Sequence, residues 1–308
     1  MIARVVLITL VFASLLSGCV VTRIIDKGEV EHHPMSDQDR REATASQKVS
    51  EALSLFHDGN FLDPQGAVQT LSEAVELDPD NYDAHLYRGL ALARLGEYSR
   101  AEQDLMRAAS LKPSDARSRY LLGYTLWQAG RSLEGIHALD EAIRRNPSLT
   151  QAYTQRGAIR AELGEHEKAI EDFRQAMSLS PGDFDPRFRL GQSCLMLEQY
   201  QQAYRAFSGA ASLKPDSAAA FEGRARALMG LGRFNDAARD LHFALSSNPD
   251  NADLRALYAS TLERSGNLGG AIRAYRRAAA GFRNQDRMDD AKRMDEAARR
   301  LMDQRKTS

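Results

Sequence analysis

The sequence predicts an all-α array of stacked helix hairpins, and three observations carry that prediction. Six of its nine prolines, Pro79, Pro113, Pro147, Pro181, Pro215 and Pro249, stand 34 residues apart. Small residues keep the same period in three columns. The first is Ala52, Gly89, Gly123, Gly157, Gly191, Ala225 and Ala259. The second is Ala101, Gly135, Ala169, Ala203, Ala237 and Ala271, and the third is Ala108, Ala142, Ala176, Ala210, Ala244 and Ala278. Seven residues after the first column comes a turn position held by Gly59, Gly96, Gly130, Gly164, Glu198, Gly232 and Gly266. A fixed period of this size marks a supersecondary unit that is stacked repeatedly.

Each column has a physical cause. The proline ends one helix, because it lacks the N–H that would continue the ladder, and it fixes the turn into the next repeat. A first helix, A, carries the small residue that lets a second helix, B, approach closely. The glycine between them takes a left-handed conformation at little steric cost. Four residues after the small residue of helix B, a large side chain fills the space between hairpins: Leu105, Leu139, Phe173, Phe207, Leu241 and Tyr275. Polar steps such as Pro79-Asp80, Pro113-Ser114 and Pro215-Asp216 supply a capping group near the next helix start.

The departures carry information too. The segment FLDPQGA after Gly59 holds three extra residues, which predicts a lengthened first turn. Glu198 stands where glycine is due, so that turn is expected to be strained or to end at a shifted position. Arg283 replaces the last proline, and helix B of that repeat is expected to run to about Phe282. A final helix with Met288, Ala291, Met294, Ala298 and Leu301 on one face reads as a solenoid cap.

These columns resemble the tetratricopeptide-repeat family from about residue 45 to residue 285. The resemblance implies a right-handed superhelix of about seven helix-turn-helix repeats plus the C-terminal capping helix. It also implies that helix A lines the inner surface.

The N-terminus reads as an address. Arg4 gives a positive start, and Val5 to Leu16 is an apolar run of 12 residues, shorter than the ~20 residues that span a bilayer. It leads into Leu16-Ser17-Gly18-Cys19, which resembles a bacterial lipobox. That resemblance implies cleavage before Cys19, diacylglycerol on its thiol and acylation of the new amino group. More than one acyl chain makes such an anchor stable. By the sorting pattern of bacterial lipoproteins, Val20 points to the periplasmic face of the outer membrane. The expected domains are therefore a signal peptide at 1–18, a lipidated flexible tether at 19–38, the repeat array at 39–285, and a cap and tail at 286–308. A coil of the tether's length spans roughly 25 Å.

Composition excludes more than it names. A net charge of −1 offers no global field for nucleic acid. Two cysteines are too few for a disulfide framework. His32-His33 is an isolated pair and is assigned no metal. Cys194 falls in the helix-A column that otherwise holds Leu126, Leu228 and Leu262, which makes it a small buried hydrophobe. There is no phosphate-binding loop or dinucleotide glycine motif, and no nucleophile–histidine–acid set can be assembled. No enzyme activity and no cofactor is expected.

In the family, positions 2, 5, 9, 12 and 13 of helix A face inward. In the repeat starting at Ala116 these are Arg117, Tyr120, Tyr124, Trp127 and Gln128. The next repeat places Ala158 and Ala161 there, which leaves room for a ligand side chain. Tyr120, Tyr124 and Trp127 form an aromatic stripe at i, i+4, i+7. Such stripes are more often core than binding site, but here the packing columns are already taken by Leu122, Gly123 and Leu126. With Phe188, Gln192 and Arg226 from later repeats, the stripe makes a candidate groove for an extended or helical peptide. Some tetratricopeptide domains clamp a terminal carboxylate with lysine and asparagine at positions 5 and 9. Leu86/Leu90, Tyr120/Tyr124 and Thr154/Ala158 stand there instead, which disfavours a chaperone-tail ligand.

The expected function is a lipid-anchored adaptor for envelope proteins or peptides. Lipoproteins of this plan resemble either pilotin-type factors for secretins and pili or scaffolds that join proteases or cell-wall enzymes. A carrier of a small ligand or glycan is the alternative.

Overall fold

The computed structural model describes residues 20–24, 30–57 and 60–307. The expected signal peptide, Cys19 and the turn residue Gly59 lie outside the described residues. The chain falls into two compact units that divide after Pro113.

The first unit opens with an antiparallel pair, β1 (Val20–Ile24) and β2 (Val30–Pro34), in which Val20 faces Pro34 and Ile24 faces Val30. This segment was expected to be a tether because it has no side-chain period. Backbone pairing needs none, and β-branched Val20, Val21, Thr22, Ile24 and Val30 favour extended backbone. Helix α1 (Asp37–Leu53) then begins at a capping box, where Ser36 Oγ accepts from the Asp39 N–H at 3.1 Å and Asp39 accepts from the Ser36 N–H at 3.1 Å. The lengthened first turn is a short hairpin, β3 (Phe56–His57) against β4 (Asn60–Phe61), with the Phe56 and Phe61 rings 4.8 Å apart. Helix α2 (Pro64–Leu77) follows, with proline at its first position and Asp63 capping the Gly66 N–H. Helices α3 (Tyr82–Arg94) and α4 (Tyr98–Leu111) complete the unit, each helix packing on the next.

The second unit repeats the hairpin five times. The pairs are α5 (Ala116–Gln128) with α6 (Ser132–Arg145), α7 (Thr150–Glu162) with α8 (His166–Leu179), and α9 (Phe184–Met196) with α10 (Tyr200–Leu213). They are followed by α11 (Ala218–Gly230) with α12 (Phe234–Ser247) and α13 (Ala252–Arg264) with α14 (Leu268–Asn284). Helix α15 (Met288–Thr307) packs on α14 and caps the stack. Among the described residues the first unit thus holds two helix hairpins and the second five with a capping helix, an all-α stack in each unit as the columns predict. Among the described residues no helix is long and apolar enough to cross a membrane.

The proline works through the residue before it. Asp78, Lys112, Asn146, Ser180, Lys214 and Asn248 have φ between −125° and −140° and end helix B. A following proline ring disfavours helical backbone at these positions, so each helix stops there. The capping group of the next helix is two residues after the proline, not one. Asn81, Asp115, Asp183, Ser217 and Asn251 accept backbone N–H bonds, while Leu149 at the same place has no side-chain acceptor.

Close approach is visible at the first column. A Cβ on Gly123 would lie 2.7 Å from Leu139 Cγ, and one on Gly157 would lie 2.7 Å from the Phe173 ring. Leu105, Leu139, Phe173 and Leu241 are fully buried, as that contact demands. Burying one such side chain is worth ~2 kcal/mol. The cap is narrower than its sequence stripe. Ala291, Ala298 and Leu301 are buried, but Met288 is 59% exposed because it lies in the first turn, beyond the packed stretch.

The turns share one geometry. Gly96, Gly130, Gly164, Gly232 and Gly266 have φ between +73° and +83°. In each case the next N–H reaches back five residues, as Glu97 does to the Leu92 carbonyl at 2.9 Å. Glu198 keeps this arrangement with φ +56°, and Gln199 N–H reaches the Cys194 carbonyl at 2.8 Å. The helix end is therefore not shifted, and the cost appears as backbone strain.

A longer period runs through the same repeats. Arg88, Arg156 and Arg224 on A helices meet Asp104, Asp172 and Asp240 on the paired B helices, 16 residues later. The intervening repeats carry Leu122 with Ala138, Leu190 with Ala206, and Tyr258 with Ala274, so the ionic repeats recur every 68 residues. Arg224 grips Asp240 through two bonds of 2.7 Å. Burial opposes the charged form of Asp104, yet bonds from Arg88 and His85 and the Arg88 charge hold its carboxyl below the ordinary range.

Two outcomes follow for stability. Glu198→Gly removes the left-handed strain and is expected to stabilise the fold by about 1 kcal/mol in urea denaturation; a loss of stability would contradict the turn geometry. Asp240→Ala strands a largely buried guanidinium and is expected to cost about 2–3 kcal/mol. The pair Arg224→Leu with Asp240→Ala, which copies Leu190 and Ala206, is expected to recover most of that loss in the same assay.

Candidate functional site

The first helices of four consecutive hairpins touch in series: α5 meets α7, α7 meets α9, and α9 meets α11. They form one face of the second unit. On α5 the buried positions are Ala116, Ser118, Gly123, Thr125 and Leu126. Tyr120, Tyr124 and Trp127 lie beside that stripe and are half-buried, while Gln128 is exposed.

The aromatic stripe divides into two roles. Tyr120 and Trp127 rest partly on the cluster of Ala116, Leu139, Ala142, Ala152 and Ile159. Tyr124 and Trp127 form a tilted pair with centroids 5.6 Å apart, within the usual range for attracting rings. Gln128 Nε2 donates to the Tyr124 hydroxyl at 2.9 Å. Trp127 Nε1 donates across to Glu162 Oε2 on α7 at 2.6 Å. That charge-assisted bond ties the indole to the neighbouring hairpin and leaves ring surface facing out.

The structure thus brings Tyr124, Trp127 and Gln128 together and adds Glu162. The remaining groove residues lie further along. Phe188 on α9 stacks on Phe184 with centroids 5.4 Å apart and sets its edge against Phe207 at 5.6 Å, so much of its ring serves packing. Gln192 is exposed on the same helix. Arg226 is exposed on α11, with its guanidinium 2.7 Å from Glu222 on its own helix. Ala158 is only 5% exposed, and Ala161 is half-buried and packs beside the core cluster of Ala169, Ile170 and Phe173.

The link to Glu162 is the feature that reading repeats one at a time misses. Trp127 and Glu162 are 35 residues apart, one repeat plus one position. Helix-A position 12 therefore meets position 13 of the following repeat. Chemistry elsewhere is sparse. Cys194 is fully buried, and burial pushes its thiol up, away from a nucleophile's range. Among the described residues no group of three or more His, Cys, Asp or Glu side chains is arranged to hold a metal ion.

Two family models, both for the tetratricopeptide repeat, match the chain. One covers residues 60–116, 120–184 and 222–286, and the other covers 160–227. The chain belongs to the tetratricopeptide-repeat family. Curated relatives of this tetratricopeptide-repeat protein include human tetratricopeptide repeat protein 16, 28% identical over 159 residues that make up 46% of this chain and 18% of that one. The Hsp70-Hsp90 organizing protein of Triticum aestivum is 27% identical over 38% of this chain and 20% of its own length. Protein FlbA of Caulobacter vibrioides is 34% identical over 34% of this chain and 17% of its own length. The chain therefore spans about a fifth of the length of the relatives it matches.

Solved structures share the fold at low identity. The C-terminal part of a tetratricopeptide-repeat protein from Cytophaga hutchinsonii aligns with a TM-score of 0.65 and 17% identity, over 79% of this chain and 98% of that one. PilF of Pseudomonas aeruginosa aligns with a TM-score of 0.62 and 18% identity, over 72% and 99%. YrrB, a tetratricopeptide-repeat protein with an unusual peptide-binding site, aligns with a TM-score of 0.52 and 19% identity, over 60% and 95%.

Proposed function

We propose that this tetratricopeptide protein is a non-catalytic adaptor that binds a peptide segment of a partner protein on the face formed by α5, α7, α9 and α11. Proteins of the family mediate protein–protein interaction, and the question is which residues of this chain take part. The observation that carries the reading is the Tyr124–Trp127 pair, held outward by Gln128 and by the bond from Trp127 to Glu162. Rigid aromatic surface beside hydrogen-bonding groups suits an apolar side chain of a bound peptide together with its polar backbone. The small side chain of Ala161 adds no bulk on the neighbouring helix, and exposed Gln192 and Arg226 extend the contact along the following hairpins.

The lipobox-like Leu16-Ser17-Gly18-Cys19 supports a lipid anchor at Cys19 and a place at the periplasmic face of the bacterial outer membrane. In that setting the client is an envelope protein, within assembly of a pilus or secretin or within a cell-wall machine. A carrier of glycans is less favoured, because the surface cavities lined by Arg273 and by Arg283 lie on α12–α15, away from the aromatic pair.

Peptides selected from a random display library on the purified chain are expected to shift the fluorescence of Trp127, the single tryptophan. Tyr124→Ala is expected to weaken them at least tenfold, whereas Gln175→Ala on α8 leaves them unchanged. Selected peptides that leave the fluorescence and the Tyr124→Ala affinity untouched would place the interaction elsewhere. For the anchor, Cys19→Ala is expected to move the protein from the membrane fraction to the soluble periplasm in cell fractionation. Retention in the membrane would refute lipid attachment there.

A further inference from the structure

A second feature lies away from the adaptor face. Helices α12, α13 and α14 enclose an open cavity of about 440 Å³, lined by Arg255, Arg273 and Arg277 together with His242, Tyr258 and Ala274, and no carboxylate lines it. Helix α14 carries four arginines and no acid. Two of them are occupied elsewhere, since Arg283 pairs with Asp295 and Arg276 donates to Met302 Sδ at 2.9 Å. Among the described residues neither Arg273 nor Arg277 has a carboxylate within ion-pair distance, and both are exposed. The inward positions of α13, Asp253, Ala256, Ser260, Glu263 and Arg264, contribute nothing to the lining.

The cavity has a traceable origin in the long period. Tyr258 and Ala274 occupy the positions where Arg224 and Asp240 form an ion pair one repeat earlier. The closer comparison is two repeats earlier, where Leu190 and Ala206 likewise replace the pair. There Arg187 donates to the Pro181 carbonyl at 2.8 Å and lies across Gly209, whose added Cβ would be 2.8 Å from Arg187 Cδ. Arg255 repeats the first contact by donating to the Pro249 carbonyl. The counterpart of Gly209, however, is Arg277, so the space that one arginine closes over glycine stays open and acquires a second cation. The His242 and Tyr258 rings, 6.0 Å apart, form one wall.

We infer that this cavity is a binding site for a phosphate-bearing ligand. Three guanidinium groups without a lining counter-charge call for an anion. Arginine forks match phosphate oxygens two at a time, and a phosphate monoester offers three oxygens and close to two charges, where a carboxylate offers two oxygens and one charge. The volume falls within the ~300–1,000 Å³ typical of small-molecule sites and exceeds what a bare ion needs. The phosphate therefore carries an organic group, which packs on His242 and Tyr258. A soluble phosphomonoester and the monoester headgroup of phosphatidic acid share this chemistry.

The test uses the unlipidated full chain, Cys19→Ala. Calorimetry with inorganic phosphate and phenyl phosphate forms one arm. Co-sedimentation with phosphatidylcholine vesicles, with and without phosphatidic acid, forms the other. Phenyl phosphate, or the phosphatidic acid vesicles, are expected to bind, and the responding arm identifies the source. The double change Arg273→Gln with Arg277→Gln is expected to weaken that binding at least tenfold. Ala274→Asp, which restores the carboxylate that Asp104, Asp172 and Asp240 supply in other repeats, is expected to do the same. Arg276→Gln, one position from Arg277 and outside the lining, stays within twofold of the parent. No binding in either arm would overturn the inference, as would equal affinities for the double change and Arg276→Gln.

Discussion

The close approach of helix A to helix B is the constraint on which the rest of this structure depends. At Gly123 even one added carbon would press on Leu139 Cγ at 2.7 Å and on the Gly135 carbonyl at 2.9 Å. Overpacking of this kind typically costs ~1–3 kcal/mol. The large side chain opposite can then fill the gap and seal the hairpin, as Leu139 and Phe173 do. With that contact fixed, the left-handed turn and the residue before each proline set where the two helices end. Positions of helix A away from that contact carry less packing duty, as at Tyr124 and Gln128, and make a binding face available.

The alternation of ionic and apolar repeats adds a second level of organisation. The Arg–Asp pairs at Arg88, Arg156 and Arg224 are largely buried and satisfied on several sides; Arg156 also meets Asp140, and Asp172 also receives Arg160. Such pairs contribute little net stability against an apolar replacement but penalise any arrangement that leaves one member alone. They therefore resist a slip of helix A against helix B within a hairpin. Where the pair is absent, the site is filled by Leu190 and Ala206 or, in the last hairpin, stays partly open beside Tyr258 and Ala274. One sequence position thus serves as lock, packing or cavity depending on the repeat.

Most of this architecture was legible in the sequence, because steric columns repeat with the fold. The glycine and alanine columns, the buried Leu105 and Phe173, and the left-handed turns followed from the 34-residue period. The ion pairs did not, since their period is 68 residues and a column alternating between arginine and leucine looks unconstrained when aligned at 34. The N-terminal pair β1–β2 was hidden for another reason: strand pairing there shows in β-branched composition and not in a side-chain alternation. At the candidate site the sequence placed Tyr124, Trp127 and Gln128 on one helix face. It could not divide Trp127 between core and surface, because the ring does both, and it gave no hint that Phe188 would turn toward Phe207. The bond to Glu162 needed the crossing of adjacent A helices, which no single repeat contains.

Read as an adaptor, the molecule separates its tasks. The A-helix face offers an aromatic pair for a peptide, the arginine-lined cavity lies on α12–α14, and the proposed lipid anchor at Cys19 would hold both at a membrane. The most direct test is site-specific photocrosslinking in cells, with a photoreactive residue in place of Gln128 on the A-helix face or of Gln175 on α8. A partner captured from position 128 and absent from position 175 is the predicted result. Equal capture at both positions, or capture from position 175 alone, would contradict a binding face built on Tyr124 and Trp127.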